Sequence, residues 1–389
     1  MYIWKSPFWT HFSYDESLIR TKLAGVVSIQ QQLIGKADEL PPGLDREAEM
    51  DALIQNALQT SEIEGETLNV SSVRSSVARH LGLEQAGLTE PTRQTESLIK
   101  MLTTATSNLT QVLTEQTLCD WQAYLFPETL IVHDILIGQL RGEAPMQVVS
   151  RKGRREVVHF EAPPRSVLQD ELDNFINWFN TEPKPASKKT GRGLELLRAG
   201  IAHLWLLTLH PFDDGNGRVA RALTDRALAQ AEDTSIRFYS LSAAIEADRA
   251  GYYKILEYTQ SGQTVTQQNT GATDITEWLN WFLDTLARAM QQGCSRIERV
   301  INKTRFWHSN SQTILRERQV KVLNRLLDKA GEEFDQGINA RKYQSLAKVS
   351  KATATRDLAE LVEKNCLKLL GGGGRSTRYV LNIPIPKRQ

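Results

Sequence analysis

The sequence predicts a mainly α-helical protein that carries one β-hairpin near its middle and a small α+β domain at its C-terminus. Apolar residues recur at helical spacing over most of the chain, which is typical of packed amphipathic helices. Two runs of β-branched residues flank a Lys152-Gly153 turn, and this pattern predicts a hairpin over 146–161. Residues 310–389 contain 16 basic and 8 acidic residues, whereas the rest of the chain has an acidic excess. This difference indicates a separate C-terminal domain that could bind a polyanion such as nucleic acid.

Length and composition restrict the class of protein. A chain of 389 residues holds two or three domains, and 40% hydrophobic with 24% charged residues is ordinary for a globular protein in water. The cysteines Cys119, Cys294 and Cys366 are far apart and form no CxxC pair, so neither a disulfide framework nor a zinc site is predicted. The N-terminus lacks an apolar signal region, and no apolar run approaches the roughly 20 residues that span a bilayer. We therefore expect a cytoplasmic protein without a membrane partner.

Local signals predict the elements of the first three quarters of the chain. Residues 1–15 are rich in aromatic side chains and are expected to be extended. Residues 46–66 place apolar side chains on one helical face, and Gly65 is a signal for the end of that helix. Two shorter helices are predicted within 117–142. Further helices are expected over 166–181, 192–209, 217–231, 246–260 and 274–306.

The segment HPFDDGNGRVAR at 210–221 combines several reactive residue types within a short stretch. The almost wholly apolar helix before it is expected to end at His210, and a new helix is expected to begin near Asn216. The first turn of that helix has unpaired backbone N–H groups at Gly215, Asn216 and Gly217. Together with the helix dipole, these groups form an anion site. Because glycine has no Cβ atom, a phosphate can approach the backbone closely there.

Charged side chains around this anion site indicate the kind of reaction. Arg218 and Arg221 are three positions apart on the new helix, so both can face one side and hold a polyphosphate. Asp214 can hold a Mg²⁺ ion that bridges phosphates, and His210 can take a proton from an attacking hydroxyl. These roles predict a phosphate-transfer or nucleotide-transfer site. The chain has no GxxxxGK(S/T) P-loop, no kinase motif set and no GxGxxG fingerprint, which argues against those nucleotide sites.

The same segment resembles the signature of Fic-domain proteins, HxFx(D/E)GNGRxxR, with every specified position filled. The resemblance covers about residues 115–265. It includes the hairpin, which is similar to the family's flap, and RAGYYKILE at 249–257, which is similar to the family's nucleotide-pocket helix. It implies a Fic-type helical bundle that moves AMP from ATP to a hydroxyl group of a protein. Members that transfer other groups often depart from the middle of the signature, and this chain does not.

The resemblance also assigns roles to individual residues. It implies that His210 is the general base, that Phe212 is a buried anchor and that Asp214 binds Mg²⁺. The α-phosphate would contact Asn216 and the loop amides, and the β- and γ-phosphates would contact the two arginines. The residues that it places around the nucleotide are Asp214, Gly215, Asn216, Gly217, Arg218, Arg221, Val148, Val149, Tyr252 and Tyr253.

A second segment, TSEIEGE at 60–66, gains meaning beside this signature. Alone it is an acidic helix end, but next to a Fic core it resembles the family's inhibitory motif (S/T)xxxE(G/N), with Thr60, Glu64 and Gly65 at the specified positions. The resemblance implies that Glu64 pairs with Arg221. Such a carboxylate would remove the counter-charge of the γ-phosphate and repel it, so ATP would bind in an unproductive pose.

The C-terminal residues 315–385 resemble a winged helix-turn-helix, with helices in KYQSLAKV and KATATRDLAELVEKN and a hairpin around GGGG. Ser350 is expected to start the second helix. In that fold the second helix enters the DNA major groove and the wing contacts the backbone. The residues expected to face DNA are Lys351, Thr353, Thr355 and Arg356 on the helix and Arg375 and Arg378 in the wing. Winged helices also serve as protein-docking and dimerisation modules, so DNA and a homodimer partner both remain open.

These features divide the chain into four predicted regions. They are an N-terminal helical region with the inhibitory helix at 1–110, a Fic core at 111–270, a connecting helix at 271–310 and a winged helix-turn-helix at 311–389. The preferred hypothesis is a protein adenylyltransferase that uses ATP and Mg²⁺, modifies a hydroxyl-bearing target protein or itself, and is inhibited by Glu64.

Two other functions remain open. One is a nucleotide-sensing, DNA-binding transcriptional regulator, and the other is a Fic-type enzyme that removes AMP from a protein, in which Glu64 would position a water. The intact His210 favours an enzyme over a sensor, because a sensor does not need a base.

Overall fold

The computed structural model describes residues 2–41, 43–83, 89–127, 135–152, 155–181, 192–234, 237–262, 271–328, 334, 336–370 and 377–384. The chain forms two compact units. The first comprises the residues up to 37 together with 45–293, and the second comprises 38–44 together with 294–389. Across these described ranges, no helix is long and apolar enough to cross a membrane.

The N-terminal part of the first unit is helical after a short irregular start. Its elements are a 3-10 helix Ile3–Lys5, strand β1 Phe12–Ser13 and helices α1 Glu16–Asp38, α2 Leu44–Ile63, α3 Val70–His80 and α4 Arg93–Thr106. Polar side chains fix where two helices begin, because Asn69 accepts hydrogen bonds from the first turn of α3 and Thr92 does so for α4. Helix α2 ends at Ile63, and Gly65 has a positive φ of 81°, so the predicted stop signal is confirmed.

The other elements of the first unit surround two core helices, α7 and α8. They are α5 Glu115–Leu125, β2 Gln147–Lys152, β3 Arg155–Glu161, α6 Arg165–Thr181, α7 Arg192–Leu209, α8 Asn216–Glu232, α9 Leu241–Glu246, α10 Arg249–Gln260, β4 Thr273–Asp274 and α11 Thr276–Ser309, which continues into the second unit. Helices α7 and α8 pack extensively against each other, and most of their side chains are buried. The loop that joins them therefore starts and ends on the core.

The two helices predicted within 117–142 are observed only in part: the first is α5, residues 128–134 lie outside the described residues, and residues 135–142 are not helical. Helix α5 ends at Leu125, and the described residues 135–142 form turns and loops. Gly138 has a positive φ of 69°, and its N–H donates to Gln122 Oε1 at 2.6 Å. The Leu136 N–H likewise donates to Asp213 Oδ2 at 2.9 Å, so these two backbone groups bond to side chains from other parts of the chain and not within a helix.

Strands β2 and β3 form the predicted antiparallel hairpin. Gln147 pairs with Glu161 at its base, and a β-bulge between Val148 and Val149 shifts the register. Gly153 of the predicted turn lies outside the described residues. Strands β1 and β4 pair in parallel and so join the N-terminal segment to the start of α11.

The second unit packs three helices against a two-stranded hairpin. Its own elements are α12 Glu317–Asp328, α13 Ala340–Ala347, α14 Lys351–Glu363, β5 Leu367–Leu370 and β6 Arg378–Leu381. Ser350 caps α14 as predicted, because its side chain accepts from the Thr353 N–H. The glycine run between β5 and β6 lies outside the described residues.

Asp357 on α14 is buried and joins the helices of this unit. It accepts hydrogen bonds from Arg318 Nε at 2.7 Å, from Arg316 Nη1 at 3.0 Å and from the Tyr343 hydroxyl at 3.0 Å. The hydrogen bond from Arg318 lowers the pKa of Asp357 below its ordinary value, although burial opposes this. The carboxylate therefore stays ionised and connects α12, α13 and α14.

Candidate functional site

The signature segment is a tight connection between α7 and α8. Helix α7 ends at Leu209, and His210 follows in the left-handed region with a φ of 49°. The His210 N–H still donates to the Leu206 carbonyl at 3.0 Å, which closes the last helical turn. Gly215 has a φ of 88° and precedes Asn216, the first residue of α8. The helix boundaries predicted at His210 and Asn216 are therefore confirmed.

Asn216 fixes the shape of this loop. Its Nδ2 donates to the Phe212 carbonyl at 2.7 Å, and its Oδ1 accepts from the Phe212 N–H at 3.0 Å. Phe212 itself is fully buried. Since the Asn216 side chain is engaged in the loop, its predicted contact with the α-phosphate would come from its backbone N–H in the first turn of α8.

Arg141 holds the other side of the loop and was not found by sequence reasoning. It is buried, its Nε donates to the His210 carbonyl at 2.8 Å, and its backbone N–H donates to the Pro211 carbonyl at 2.9 Å. Its Nη2 donates to the Pro163 carbonyl, shortly after the hairpin. A single arginine within a loop has no characteristic spacing, so the sequence offers no signal for this contact.

His210 has the protonation state that a general base requires. Burial lowers the pKa of His210 to about 4, so the imidazole is neutral at pH 7. Its Nδ1 lies 3.2 Å from the Leu207 carbonyl oxygen. A carbonyl can only accept, so Nδ1 carries the proton and Nε2 keeps a lone pair. The ring can therefore take a proton at Nε2.

The two signature arginines are buried, and each pairs with a carboxylate from the segment after α2. Arg221 donates from Nη2 to Glu64 at 2.7 Å, and from Nε to the Thr60 hydroxyl at 2.7 Å. Arg218 donates from Nη1 to both carboxylate oxygens of Glu66 at 2.8 Å. The pairing of Glu64 with Arg221 that the resemblance implies is present. The Glu66 pair is additional, and Glu66 lies beyond the inhibitory motif, which explains why sequence reasoning missed it.

The Glu64 carboxylate lies against the N-terminus of α8. A Cβ atom on Gly217 would collide with Glu64 Oε1, so a side chain at 217 would leave no room for this approach. Partial burial raises the pKa of Glu64, but the charge and hydrogen bond of Arg221 lower it more, and the net pKa is below the ordinary value. An ionised carboxylate therefore occupies a place where the helix dipole and Arg221 favour an anion.

Helix α10 places Tyr252 and Tyr253 near this pair. Tyr252 is buried, and its hydroxyl lies 3.0 Å from Nε2 of His203, whose Nδ1 lies 2.8 Å from the Thr224 hydroxyl. Burial lowers the pKa of His203 to about 3, so this ring is a neutral bridge in the core. Tyr253 is exposed and donates to the Ile63 carbonyl at 3.2 Å, at the end of α2. Of the two tyrosines, Tyr253 has the surface that a nucleotide could reach.

The other predicted site residues are accessible. Val149 is exposed on the hairpin, and Val148 is partly exposed. The Asp214 carboxylate is exposed and accepts from the Gly215 N–H at 2.6 Å. One carboxylate, together with waters and substrate phosphates, is the usual protein share of a Mg²⁺ site, so Asp214 fits that role. Within the described part of the chain, no three His, Cys, Asp or Glu side chains cluster as a metal site of their own.

The second unit presents most of the residues predicted to face DNA. The exposed residues on α14 are Lys351, Thr355 and Arg356, and Thr353 is partly exposed. Arg378 begins β6 and donates to the Gln336 carbonyl at 3.3 Å. Arg375 lies outside the described residues.

Two segments of the chain match known families. Residues 2–83 match a domain of unknown function, DUF4172, and residues 112–228 match the Fic/DOC family. The Fic/DOC match contains the hairpin, His210 and both signature arginines. Glu64 and Glu66 lie in the other segment.

Two curated relatives are similar to parts of the chain. A protein adenylyltransferase Fic from Nematostella vectensis is 25% identical over 251 residues, which are 62% of this chain and 53% of that protein. A uridine 5'-monophosphate transferase from Xanthomonas campestris pv. campestris is 39% identical over 66 residues, which are 17% of this chain and 12% of that protein. The chain thus spans about half of the Nematostella protein and a small part of the Xanthomonas protein.

A solved structure shares the fold. A Fic domain-containing signalling protein from Bacteroides thetaiotaomicron aligns with a TM-score of 0.50 at 16% identity, over 70% of this chain and 96% of that chain. At this identity the likeness concerns the fold alone. Together, the two comparisons show that residues 112–228 match the Fic/DOC family and that the chain shares the fold of a Fic domain-containing protein.

Proposed function

We propose that the chain is a protein adenylyltransferase that moves AMP from ATP to a hydroxyl group of a target protein. One observation carries this proposal. A single loop holds the neutral His210 imidazole and leads into the N-terminus of α8, which two buried arginines flank. A base and an anion site on the same loop can serve nucleotidyl transfer. The Nematostella relative, a protein adenylyltransferase, supports AMP as the group transferred.

The triphosphate would bind at the N-terminus of α8. Arg218 Nε and Arg221 Nη1 are buried without a hydrogen-bond partner among the described residues, so these donors are available to phosphate oxygens. Asp214 would hold Mg²⁺, which supplies charge neutralisation when it is bound.

His210 would act on the acceptor. Its Nε2 takes the proton of the target hydroxyl as the hydroxyl oxygen attacks the α-phosphorus. A new P–O bond forms, the bond from the α-phosphorus to the bridging oxygen of the β-phosphate breaks, and pyrophosphate leaves.

The proposed enzyme is inhibited in the state described here by two carboxylates. Glu64 pairs with Arg221 and Glu66 pairs with Arg218, so both guanidiniums that would hold the distal phosphates already have anionic partners. A triphosphate must displace these carboxylates or place its distal phosphates elsewhere. Inhibition therefore depends on two acidic side chains of one short segment, and Glu64 alone accounts for only part of it.

The proposal is tested by incubating the whole chain with Mg²⁺ and α-labelled ATP and measuring label on protein. Wild type, Glu64→Gly and Glu64→Gly/His210→Ala are compared. We expect the most label with Glu64→Gly and background label with the double variant. Parallel reactions with γ-labelled ATP detect phosphate transfer, and reactions with α-labelled UTP detect the transfer named for the Xanthomonas relative. A folded Glu64→Gly variant that accepts no label from any nucleotide would overturn the proposal.

Removal of AMP from a protein is an alternative reaction for the same site. The ionised Glu64 carboxylate at the N-terminus of α8 favours it, because a carboxylate there could orient a water. The two reactions predict opposite effects of one substitution. Glu64→Gly should increase AMP addition under the first proposal, and it should abolish AMP release from a labelled protein under the second.

A second candidate function is DNA binding by the second unit as a winged helix-turn-helix, which would make the chain a nucleotide-sensing regulator. The order of α12, α13, α14 and the β5–β6 hairpin supports it, as does the exposed basic face at the start of α14. The test is a fluorescence anisotropy titration of the whole chain with duplex DNA at two salt concentrations. Affinity should fall steeply with salt, because Lys and Arg displace condensed counterions.

Substitutions locate the DNA contacts. Lys351→Ala or Arg378→Ala should weaken binding evenly across sequences, whereas Thr355→Ala or Arg356→Ala should change sequence preference. Arg20→Ala, on an exposed part of α1, is the control and should have no effect. No binding at low salt would leave protein docking as the role of this unit.

A further inference from the structure

The aromatic N-terminal segment, residues 2–13, has no part in the reaction proposed above, yet it contacts the base of the hairpin. The indole Nε1 of Trp4 donates to the Glu161 carbonyl at 2.7 Å, and Glu161 is the last residue of β3. The Tyr2 ring packs edge-on against Phe160 with 5.3 Å between ring centroids, and Phe160 is buried. The segment therefore holds the hairpin at one of the points where its strands join the rest of the unit.

A second set of contacts joins the hairpin to α10. His159 on β3 lies 2.6 Å from the Ser150 hydroxyl on β2 through Nε2, and 3.0 Å from Glu257 on α10 through Nδ1. Beyond these contacts the hairpin has exposed apolar side chains, including Val149, and its strands pair with no further strand in the described part of the chain. An extended segment of a target protein could pair with such an open strand edge.

The same N-terminal segment is anchored to the helix that precedes His210. Trp9 is buried and packs edge-on against Trp205 of α7 with 5.5 Å between ring centroids. Phe12 also packs edge-on against Trp205, with 5.6 Å between ring centroids. Strand β1 also pairs with β4, which fixes the end of the segment to the start of α11. One short stretch of chain thus bridges α7, which positions His210, and the hairpin.

We propose that residues 2–13 are a positioning segment that sets the distance between the hairpin and His210, and so brings a target hydroxyl to Nε2. The inference rests on the proposed transfer reaction, because it assigns the hairpin to the acceptor protein. A misplacement of about 1 Å can lower a transfer rate by about 10²-fold, so a segment that fixes this distance affects the rate without contacting the nucleotide.

The test uses two matched tryptophan substitutions in the whole chain. Trp4→Phe keeps an aromatic ring and removes the indole N–H that reaches the hairpin. Trp9→Phe removes an indole N–H that donates to Glu171 of α6 at 3.2 Å, away from the hairpin. Each is made in the wild type and in the Glu64→Gly background.

Amide hydrogen exchange is the first readout, and it needs no activity. The loss of one hydrogen bond should speed exchange of the hairpin strands about 2- to 10-fold in Trp4→Phe and leave it unchanged in Trp9→Phe. Tyr2→Leu, which removes the edge contact with Phe160, should have the same effect as Trp4→Phe. It replaces Trp4→Phe if that variant does not fold.

Transfer in the Glu64→Gly background is the second readout. Trp4→Phe should lower self-labelling about 10-fold, while the Kd for ATP changes much less, because the phosphates bind at the N-terminus of α8 and the hairpin contributes only Val148 and Val149 to the predicted nucleotide site. A general loss of structure would lower the labelling and also raise the Kd for ATP.

The exchange rates of the hairpin and the labelling of the variants together decide the proposal. Faster exchange confined to the hairpin together with a selective loss of labelling supports it. Unchanged hairpin exchange in Trp4→Phe overturns it, and so does unchanged labelling when the Glu64→Gly parent is active. If that parent labels nothing, the transfer proposal has failed separately, and the exchange result alone decides whether the segment positions the hairpin.

Discussion

Two arginine–carboxylate clusters in this chain are built in opposite ways. In the first unit the arginines are buried, with 5% of the Arg218 side chain and 2% of the Arg221 side chain exposed, and their carboxylate partners are 37% and 30% exposed. In the second unit the carboxylate of Asp357 is fully buried, and its partners Arg316 and Arg318 are 48% and 36% exposed. The buried member is the cation in one cluster and the anion in the other.

This difference distinguishes a cluster whose anion can be replaced by another anion from a cluster that holds helices together. A buried guanidinium is costly without an anion, but any anion of suitable shape can serve, and the carboxylates in the first unit lie where a phosphate could replace them. Asp357 belongs to α14 and bonds to groups in and beside α12 and α13, so it cannot leave without separating helices. Substitutions in the first cluster should therefore change rates, and substitutions in the second should change stability.

The largest expected effect is on the reaction that the first cluster would serve. In the Glu64→Gly background, His210→Ala should lower AMP transfer about 10²- to 10⁴-fold, because the general base is lost, while the Kd for ATP stays nearly constant. Transfer is measured with α-labelled ATP and binding by calorimetry. His210→Gly is the control for backbone strain, because glycine accepts the positive φ at this position. Full activity in either variant would rule out His210 as the base.

Asp357→Ala should lower the free energy of unfolding of the second unit by about 2–3 kcal/mol, through loss of charge-assisted hydrogen bonds in a buried place. AMP transfer should not change. Urea denaturation measures the effect, and Glu363→Ala, an exposed change on the same helix, should shift stability by less than about 0.5 kcal/mol. If both substitutions lowered the free energy of unfolding equally, Asp357 would contribute no more than an exposed residue, and the two clusters would not differ in this way.

The pH dependence of this stability has a definite sign. The folded pKa of Asp357 is lowered, so its stabilisation is present above the ordinary value of 3.8 and is lost as the pH falls through the lower folded value.

Glu64→Gly should raise AMP transfer about 10- to 100-fold, because a charge-assisted pair with a buried arginine no longer competes with the nucleotide. Self-labelling with α-labelled ATP measures the gain. Glu62→Gly is a matched control, since it makes the same change on an exposed position of the last turn of α2. A similar gain in both variants would mean that loosening of the helix end, and not the Arg221 pair, is the cause.

Glu66→Gln should have a smaller effect that is clearest in the Glu64→Gly background. Glutamine keeps the shape of the side chain and removes its charge. The KM for ATP should therefore fall by a further factor of about 2 to 10, because Arg218 becomes available. Initial rates over a series of ATP concentrations measure it. An unchanged KM in the double variant would show that the Glu66 pair does not contribute to inhibition, in contrast to Glu64.

The smallest expected effect is on the pH profile. The pKa of His210 is about 4, so the base stays deprotonated, and kcat/KM of Glu64→Gly should change less than about 3-fold between pH 6 and 8. Removing Glu64 removes a negative charge that raises this pKa, so the acid limb should lie lower still. An acid limb with its midpoint near the ordinary histidine value of 6.5 would contradict the lowered pKa of this ring.

Features that depend on neighbours in the chain could be predicted from the sequence. The ends of the two core helices at His210 and Asn216, the stop at Gly65 and the cap at Ser350 each follow from a few consecutive residues. The pairing of Glu64 with a signature arginine was also expected, because the inhibitory motif and the signature occur in one chain.

Contacts between distant residues that no motif marks could not be predicted. Arg141, Glu66 and Trp4 are single residues without a periodic pattern, and their partners lie far away in the chain. The absence of a helix over 135–142 has a related cause. Apolar residues there are spaced as in a helix, but the Leu136 N–H donates to a carboxylate of the signature loop, and that contact replaces a helical hydrogen bond.

The position of the Glu64 carboxylate beside Gly217 has one more consequence, which concerns the effective concentration of this carboxylate at Arg221. A group on the same chain competes with free anions at an effective concentration that the tether sets, and for short tethers this reaches about the millimolar range. Dilution of the protein leaves this value unchanged, so the occupancy of Arg221 by Glu64 does not depend on how much protein is present. A binding partner that pulls the end of α2 away from α8 would lower that local concentration towards zero in a single step.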